Sequence, residues 1–283
     1  MNIVFFGNTK YSTIGFKIVN TIYPISLVIT KKLDKNPIRN LAEKLYIPLV
    51  ETYNLDEKVI ERIKNFRPDF LIVEDYGLIL PQSILDLPKF APLNIHHSLL
   101  PKYRGPSPAP AAILSGDLVS GVTIIRMTEN VDAGDILAQE KYELSEDEAT
   151  DSLLIKLNEL GANLLTKVMK QYLEGNVNPT PQDHAKATYT KLLTKEDGYF
   201  DINNPPSSEK LDRMIRAYYP WPGVWTRWSP SAKATGDKNG RIVKFLPSGM
   251  LQMEGKKPIS FKDFINGYPY FPIKQLRQAV PEE

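Results

Sequence analysis

From Asn2 to Glu74, short apolar runs alternate with stretches of helical periodicity, and that alternation restricts the chain to an α/β fold. Asn2–Phe6 (NIVFF) reads as a buried strand closed by a turn at Gly7, and Tyr11–Thr21 as a helix. Pro24–Thr30 is a second strand, and Pro37–Leu45 a helix with proline in its first turn. Ile47–Val50, helix Leu55–Phe66 and strand Asp69–Glu74 (DFLIVE) continue the pattern. Strand Pro92–His96, helix Pro108–Ser115, strands Gly121–Met127 and Asp135–Leu144, and a long helix Ala149–Glu174 complete it. Strands this uniformly apolar need cover on both faces, so a mostly parallel, Rossmann-like sheet is expected.

After Glu174 the pattern changes. Residues 175–190 (GNVNPTPQDHAKATYT) are rich in turn formers and read as a linker. Beyond them come one helix, Ser208–Tyr218, capped by Ser207 or Ser208, and short strands broken by Pro and Gly. That suits a small β-barrel or meander. The expected organisation is a domain over 1–174, a linker over 175–190 and a second domain over 191–283, with a frayed tail at Pro281–Glu283. Charge divides similarly. Residues 1–184 hold 19 Lys/Arg against 23 Asp/Glu, and the remainder 16 against 10. A basic back part attracts nucleic acid or another anion, although ordinary surface charge reads equally well.

Composition removes several kinds of chemistry. The chain has no cysteine, hence no thiolate nucleophile and no cysteine-bound metal. No run approaches the roughly 18 apolar residues of a membrane span, and the N-terminus lacks a signal-peptide pattern, so a cytoplasmic protein is expected. The first turn, Phe6-Gly7-Asn8-Thr9-Lys10, lacks the glycine spacing that admits a pyrophosphate, and no P-loop occurs. The three histidines are His96, His97 and His184.

Asn94 and His96 are two residues apart on a strand and share a face at its carboxyl end, where such sheets place their ligands. An amide donor beside an imidazole can stabilise an oxyanion and move a proton. A carboxylate is needed to orient the ring, and Asp132 or Asp135, in a glycine-containing loop, could supply it.

The segment carries further blocks. Asn94-Ile95-His96, Ser98-Leu99-Leu100-Pro101 and Arg104-Gly105 are followed by Gly121-Val122-Thr123 and by Val131-Asp132-Ala133-Gly134-Asp135-Ile136-Leu137, and preceded by Tyr76-Gly77-Leu78-Ile79-Leu80-Pro81. In this order they resemble the folate-dependent formyltransferase family. Tyr189-Thr190-Lys191-Leu192, Ile215-Arg216-Ala217, Pro220-Trp221-Pro222 and the stretch from Gly255 to Tyr268 resemble the back half of its tRNA-acting members, so the likeness spans almost the whole chain.

The resemblance implies a smaller C-terminal OB-like β-barrel domain, 10-formyltetrahydrofolate as formyl donor without a metal, and the amine of initiator methionyl-tRNA as acceptor, a role in translation initiation. It implies Asn94, His96 and Asp132 as the catalytic trio. Ser98, Leu99, Leu100 and Pro101, with Gly77, Leu78 and Leu80, would bind the donor. Ile79 and Leu80 would cover the pterin face. An amino sugar nucleotide is the alternative acceptor, and a monomer is expected. Three positions stand apart. His97 reads as packing or surface, His184 as solvated, and Arg104 as either an acceptor-phosphate or a structural residue. The family usually has a small residue or proline where His97 stands and a small apolar one where Asp75 stands. Its basic loop after the second strand is shortened here to residues 30–37, retaining Lys31, Lys32 and Lys35.

Overall fold

A computed structural model of the chain describes residues 1–229 and 240–274; the expected tail at Pro281–Glu283 lies outside them. The chain divides into two compact units. One comprises Met1–Pro108, Val119–Glu143 and Leu154–Lys191; the other comprises Ala109–Leu118, Leu144–Leu153 and the chain from Leu192 onward.

The first unit is built on β1 (Ile3–Gly7), α1 (Ser12–Ile22), β2 (Leu27–Lys31), α2 (Pro37–Lys44), β3 (Leu49–Thr52), α3 (Glu57–Asn65), β4 (Phe70–Glu74), α4 (Gln82–Leu85) and β5 (Ala91–His96). After α5 (Pro108–Ser115) come β6 (Val119–Arg126), β7 (Ile136–Glu143) and α6 (Thr150–Glu174). The seven strands form one sheet in the order β3-β2-β1-β4-β5-β6-β7. The first five run parallel; β6 pairs antiparallel with β5, and β7 antiparallel with β6. The order reverses between β1 and β4, where the loops after both strands open a crevice, the usual ligand position in such sheets. α4, a single turn, is too short to leave a periodic signal and was not expected.

Local chemistry explains the boundaries. Asn36 caps α2 by accepting from the Ile38 and Arg39 N–H groups, with Pro37 next to it in the first turn. Asp56 accepts from Val59 N–H at the start of α3. On one face of the sheet, Val4, Phe6, Leu71 and Val73 pack with Val59, Ile63 and Ile84. On the other, Phe5 meets Phe16 of α1 edge-on, and Phe70 meets Tyr172 of α6. Gly161 lets α6 press against the Ile95 side chain, the residue between Asn94 and His96.

The second unit carries α7 (Ser208–Ala217), β8 (Val224–Trp228), β9 (Arg241–Leu246), β10 (Met250–Met253), β11 (Ile259–Ser260) and α8 (Phe261–Gly267). Ser207 caps α7 by accepting from Lys210 N–H. The smaller β domain expected at the C-terminus is present as a four-stranded antiparallel sheet in the order β11-β10-β9-β8. Its core is aromatic: Phe200 packs on Phe245, and Phe271 meets Trp228 and Phe264.

Candidate active site

Asn94 and His96 lie at the carboxyl end of β5, paired with Ile125 and Thr123 of β6. The loop from β6 to β7 starts beside the amino end of β5, where Met127 N–H bonds the Pro92 carbonyl, and folds back to set Asp132 against Asn94 and His96. Asp132 adopts a left-handed backbone (φ 51°), and Gly134 passes so close to the Arg126 carbonyl that no side chain fits there.

The structure brings the three expected groups together. Asp132 Oδ2 lies 3.5 Å from His96 Nδ1, and Asn94 Nδ2 donates to Asp132 Oδ1 at 3.4 Å. Gly105 N–H donates to Asp132 Oδ2 at 2.7 Å. His96 Nε2 lies 3.0 Å from the Tyr103 carbonyl oxygen. Both ring nitrogens thus face oxygen acceptors. Asp135, the other carboxylate the sequence left open, is held instead by Arg126 at 2.5 Å.

The residues expected around the donor divide by environment. Leu80 and Leu78 pack into the core, whereas Ile79 is 74% exposed. Gly77 has φ 73°, and its carbonyl accepts from Lys31 Nζ at 3.1 Å. Asn8 ties three strand ends, donating to the Tyr76 carbonyl and accepting from Lys31 N–H and the Thr30 hydroxyl. In the Ser98–Pro101 turn, Ser98 and Leu100 are buried, and Leu99 lies over Gly121. Thr123 donates to the Ser98 carbonyl and accepts from Leu100 N–H; Gln139 donates to the Leu100 carbonyl. Neither Thr123 nor Gln139 announced this role in the sequence.

Residues 175–190 carry a second surprise. Gln182 is buried, and its amide donates to the carbonyls of Asp132 (2.8 Å) and Gly134 (2.7 Å). Its oxygen accepts from Arg104 Nε (3.1 Å) and Nη2 (2.6 Å). Arg104 is 2% exposed and also reaches His184 Nδ1 and the Tyr189 hydroxyl, so its histidine and tyrosine partners come from the same stretch. Backbone bonds between Arg104 and Thr188 and Thr190 complete a short ladder. A lone Gln in a Pro/Asn-rich stretch carries no periodic signal by which to find it.

Asp75 and His97, which departed separately from the family pattern, are partners. Asp75 Oδ1 lies 3.5 Å from His97 Nδ1, and Thr9 donates to Asp75 Oδ2. His97 is buried on the α1/α6 side of the sheet, and burial holds its imidazole below the usual range despite Asp75. Glu74 is fully buried against Gly15 of α1, and neither carboxyl oxygen has a hydrogen-bond partner. Burial, aided by the Asp75 charge, pushes it well above the ordinary carboxyl range. Burial likewise pushes the Tyr76 phenol up to about 12.

With the geometry in place, comparison with known proteins is decisive. The formyl transferase family model matches residues 17–169, more than half of the chain. The chain belongs to the formyl transferase family. A methionyl-tRNA formyltransferase from Roseiflexus castenholzii is 38% identical, covering 81% of this chain and 76% of that protein. One from Halalkalibacterium halodurans is 33% identical over 94% of this chain and 95% of its own. Among solved structures, a sugar N-formyltransferase from Shewanella sp. superposes with a TM-score of 0.68 at 16% identity, covering 91% of this chain and 99% of that one; this is a likeness of fold. The family match takes in Asn94, His96 and Asp132 but ends before Gln182. Among the described residues, no helix is long and apolar enough to cross a membrane.

Proposed function

We propose that this formyltransferase moves a formyl group from 10-formyltetrahydrofolate to the amino group of initiator methionyl-tRNA. One observation carries the acceptor: a methionyl-tRNA formyltransferase aligns over 94% of the chain, so the likeness includes the C-terminal unit as well as the strands bearing Asn94 and His96. The donor's chemical contribution is an activated formyl group. The site's features fit such a molecule: a glycine with left-handed backbone and the apolar, exposed Ile79 lie beside the sheet crevice, close in sequence to buried Leu80.

The residues divide the work. Asn94 offers an amide N–H, and His96 a ring N–H, to the formyl oxygen as negative charge gathers on it. His96 engages that oxygen by exchanging the Tyr103 carbonyl at Nε2 while Nδ1 keeps Asp132. The amine attacks the formyl carbon, the carbon–N10 bond breaks, and the proton the amine loses passes, with Asp132's help, to N10 of the departing tetrahydrofolate, while Asp132 keeps His96 oriented. Asn94, His96 and Asp132 need no metal for these steps.

A second acceptor, an amino sugar nucleotide, is favoured by one observation. The shortened 30–37 loop is a closed turn, with Asn36 bonded to Thr30 and to the Lys31 carbonyl, and the Lys31 ammonium turned onto Gly77. That leaves little basic loop to meet a tRNA. A formyl-transfer assay with methionyl-initiator tRNA and amino sugar nucleotides in parallel separates the readings. Formylated methionyl-tRNA at a rate abolished in His96→Ala is the expected result; transfer only to a sugar would keep the trio and overturn the acceptor.

A further inference from the structure

We infer that Gln182 is a positioning residue for catalysis, clamping the Asp132 loop to the turn that holds His96. The inference rests on the proposed roles of Asn94, His96 and Asp132, and goes beyond them.

The geometry has three parts. The turn at 103–105 touches both ionisable members of the trio: the Tyr103 carbonyl faces His96 Nε2, and Gly105 N–H holds Asp132 Oδ2. Moving that turn relative to the Asp132 loop therefore changes the His96–Asp132 distance directly. Gln182 joins the two pieces. Its amide nitrogen binds the main-chain carbonyls of Asp132 and Gly134, and its oxygen binds the Arg104 guanidinium at two nitrogens. Both halves of the terminal carboxamide are used, so its orientation is defined. No other side chain of that length carries two N–H donors and a carbonyl acceptor on one terminal group.

The 103–105 turn is itself fixed to the same stretch. Arg104 exchanges backbone hydrogen bonds with Thr188 and Thr190, and the Thr188 hydroxyl accepts from Tyr103 N–H. Residues 182–190 thus act as a brace along the site. Arg104 is buried and its guanidinium hydrogen-bonds Gln182, His184 and Tyr189, so it serves the brace and is not displayed to an acceptor phosphate.

Position matters at this scale because a displacement of about 1 Å at a reacting group costs on the order of 100-fold in rate. The test uses the full chain carrying Gln182→Glu and Gln182→Leu, each with and without Asp132→Asn, in single-turnover formyl transfer alongside thermal unfolding. Gln182→Glu keeps acceptor oxygens for Arg104 but replaces the donors that hold the two loop carbonyls. Its expected rate loss is about 10- to 100-fold, with KM values and unfolding temperature close to those of the parent. In the Asp132→Asn background the same substitution should cost nothing further, because it acts through Asp132. A full rate in Gln182→Glu, or an equal loss in both backgrounds, would overturn the inference. If Asp132→Asn alone keeps the parent rate, the trio itself has failed, an outcome distinct from an inactive Asp132→Asn beside an active Gln182→Glu. Should Gln182→Leu fail to fold, Gln182→Glu alone decides.

Discussion

Asp132 accepts from Gly105 N–H and Asn94 while facing His96 at 3.5 Å, so an amide in its place keeps the shape and loses the charge. Asp132→Asn should lower kcat by at least about 100-fold with the unfolding temperature unchanged, read by formyl-transfer kinetics and thermal melts. Glu74 makes a different demand. Its carboxyl is raised by burial and by Asp75, so the folded state keeps a proton that the unfolded chain releases. The stability this gives is complete below the unfolded carboxyl value and is lost as pH rises toward the folded one. The loss is about 1.4 kcal/mol per pH unit while only the folded form is protonated. Glu74→Gln should therefore melt higher than the parent near about pH 8, with the difference shrinking toward about pH 5. An identical pH slope in both proteins would refute a protonated Glu74. At this scale the sequence was legible where motif and geometry coincide: Asn94 and His96 share a face because strands alternate. The Asp75–His97 contact was not legible, since two odd residues separated by a strand and a helix show no pattern until β4 and β5 lie side by side.

Elements were read from their periodicity, and most of them stand within a few residues of where apolar alternation and caps put them. β6 begins earlier than expected because Val119 and Ser120 pair with Glu143 and Tyr142, a tertiary choice that no local signal encodes. Antiparallel return of β6 was equally invisible, as was the fold-back of the loop after it that brings Asp132 to Asn94 and His96. Packing between α6 and β5 gives the prediction at this scale. Gly161→Ala gains about 1 kcal/mol of helix propensity, but its methyl meets the Ile95 side chain, and overpacking costs about 1–3 kcal/mol. Net destabilisation is expected in urea unfolding, with kcat falling as well because Ile95 sits between Asn94 and His96. A more stable variant would mean that Ile95 moves aside freely.

For the whole molecule, charge is the property that separates the two acceptors. The overall charge is only +2, but residues beyond 184 carry a surplus of positive groups. Methionyl-tRNA as acceptor should make log(kcat/KM) fall steeply with log salt, with a slope of about −0.7 to −0.9 per phosphate contact. The KM for the folate donor should respond far less. A flat profile for the tRNA would argue that the basic back part does not meet phosphate. The grouping of Ala109–Leu118 and Leu144–Leu153 with the C-terminal residues depends on three-dimensional packing and has no local signal in the sequence.

The brace formed by residues 182–190 also has a meaning in time. A ribosome makes the chain from the N-terminus, and at about 5–20 residues per second the roughly 60 residues between Asp132 and Thr190 take about 3–12 s. Over most of that interval a nascent chain holds Asn94, His96 and Asp132 but lacks Gln182, and until its end it lacks the whole of the strand-like partner of Arg104. Such a chain holds the reacting groups before it holds the brace that sets their spacing, and the His96–Asp132 geometry is completed only once the last few residues before Leu192 have emerged.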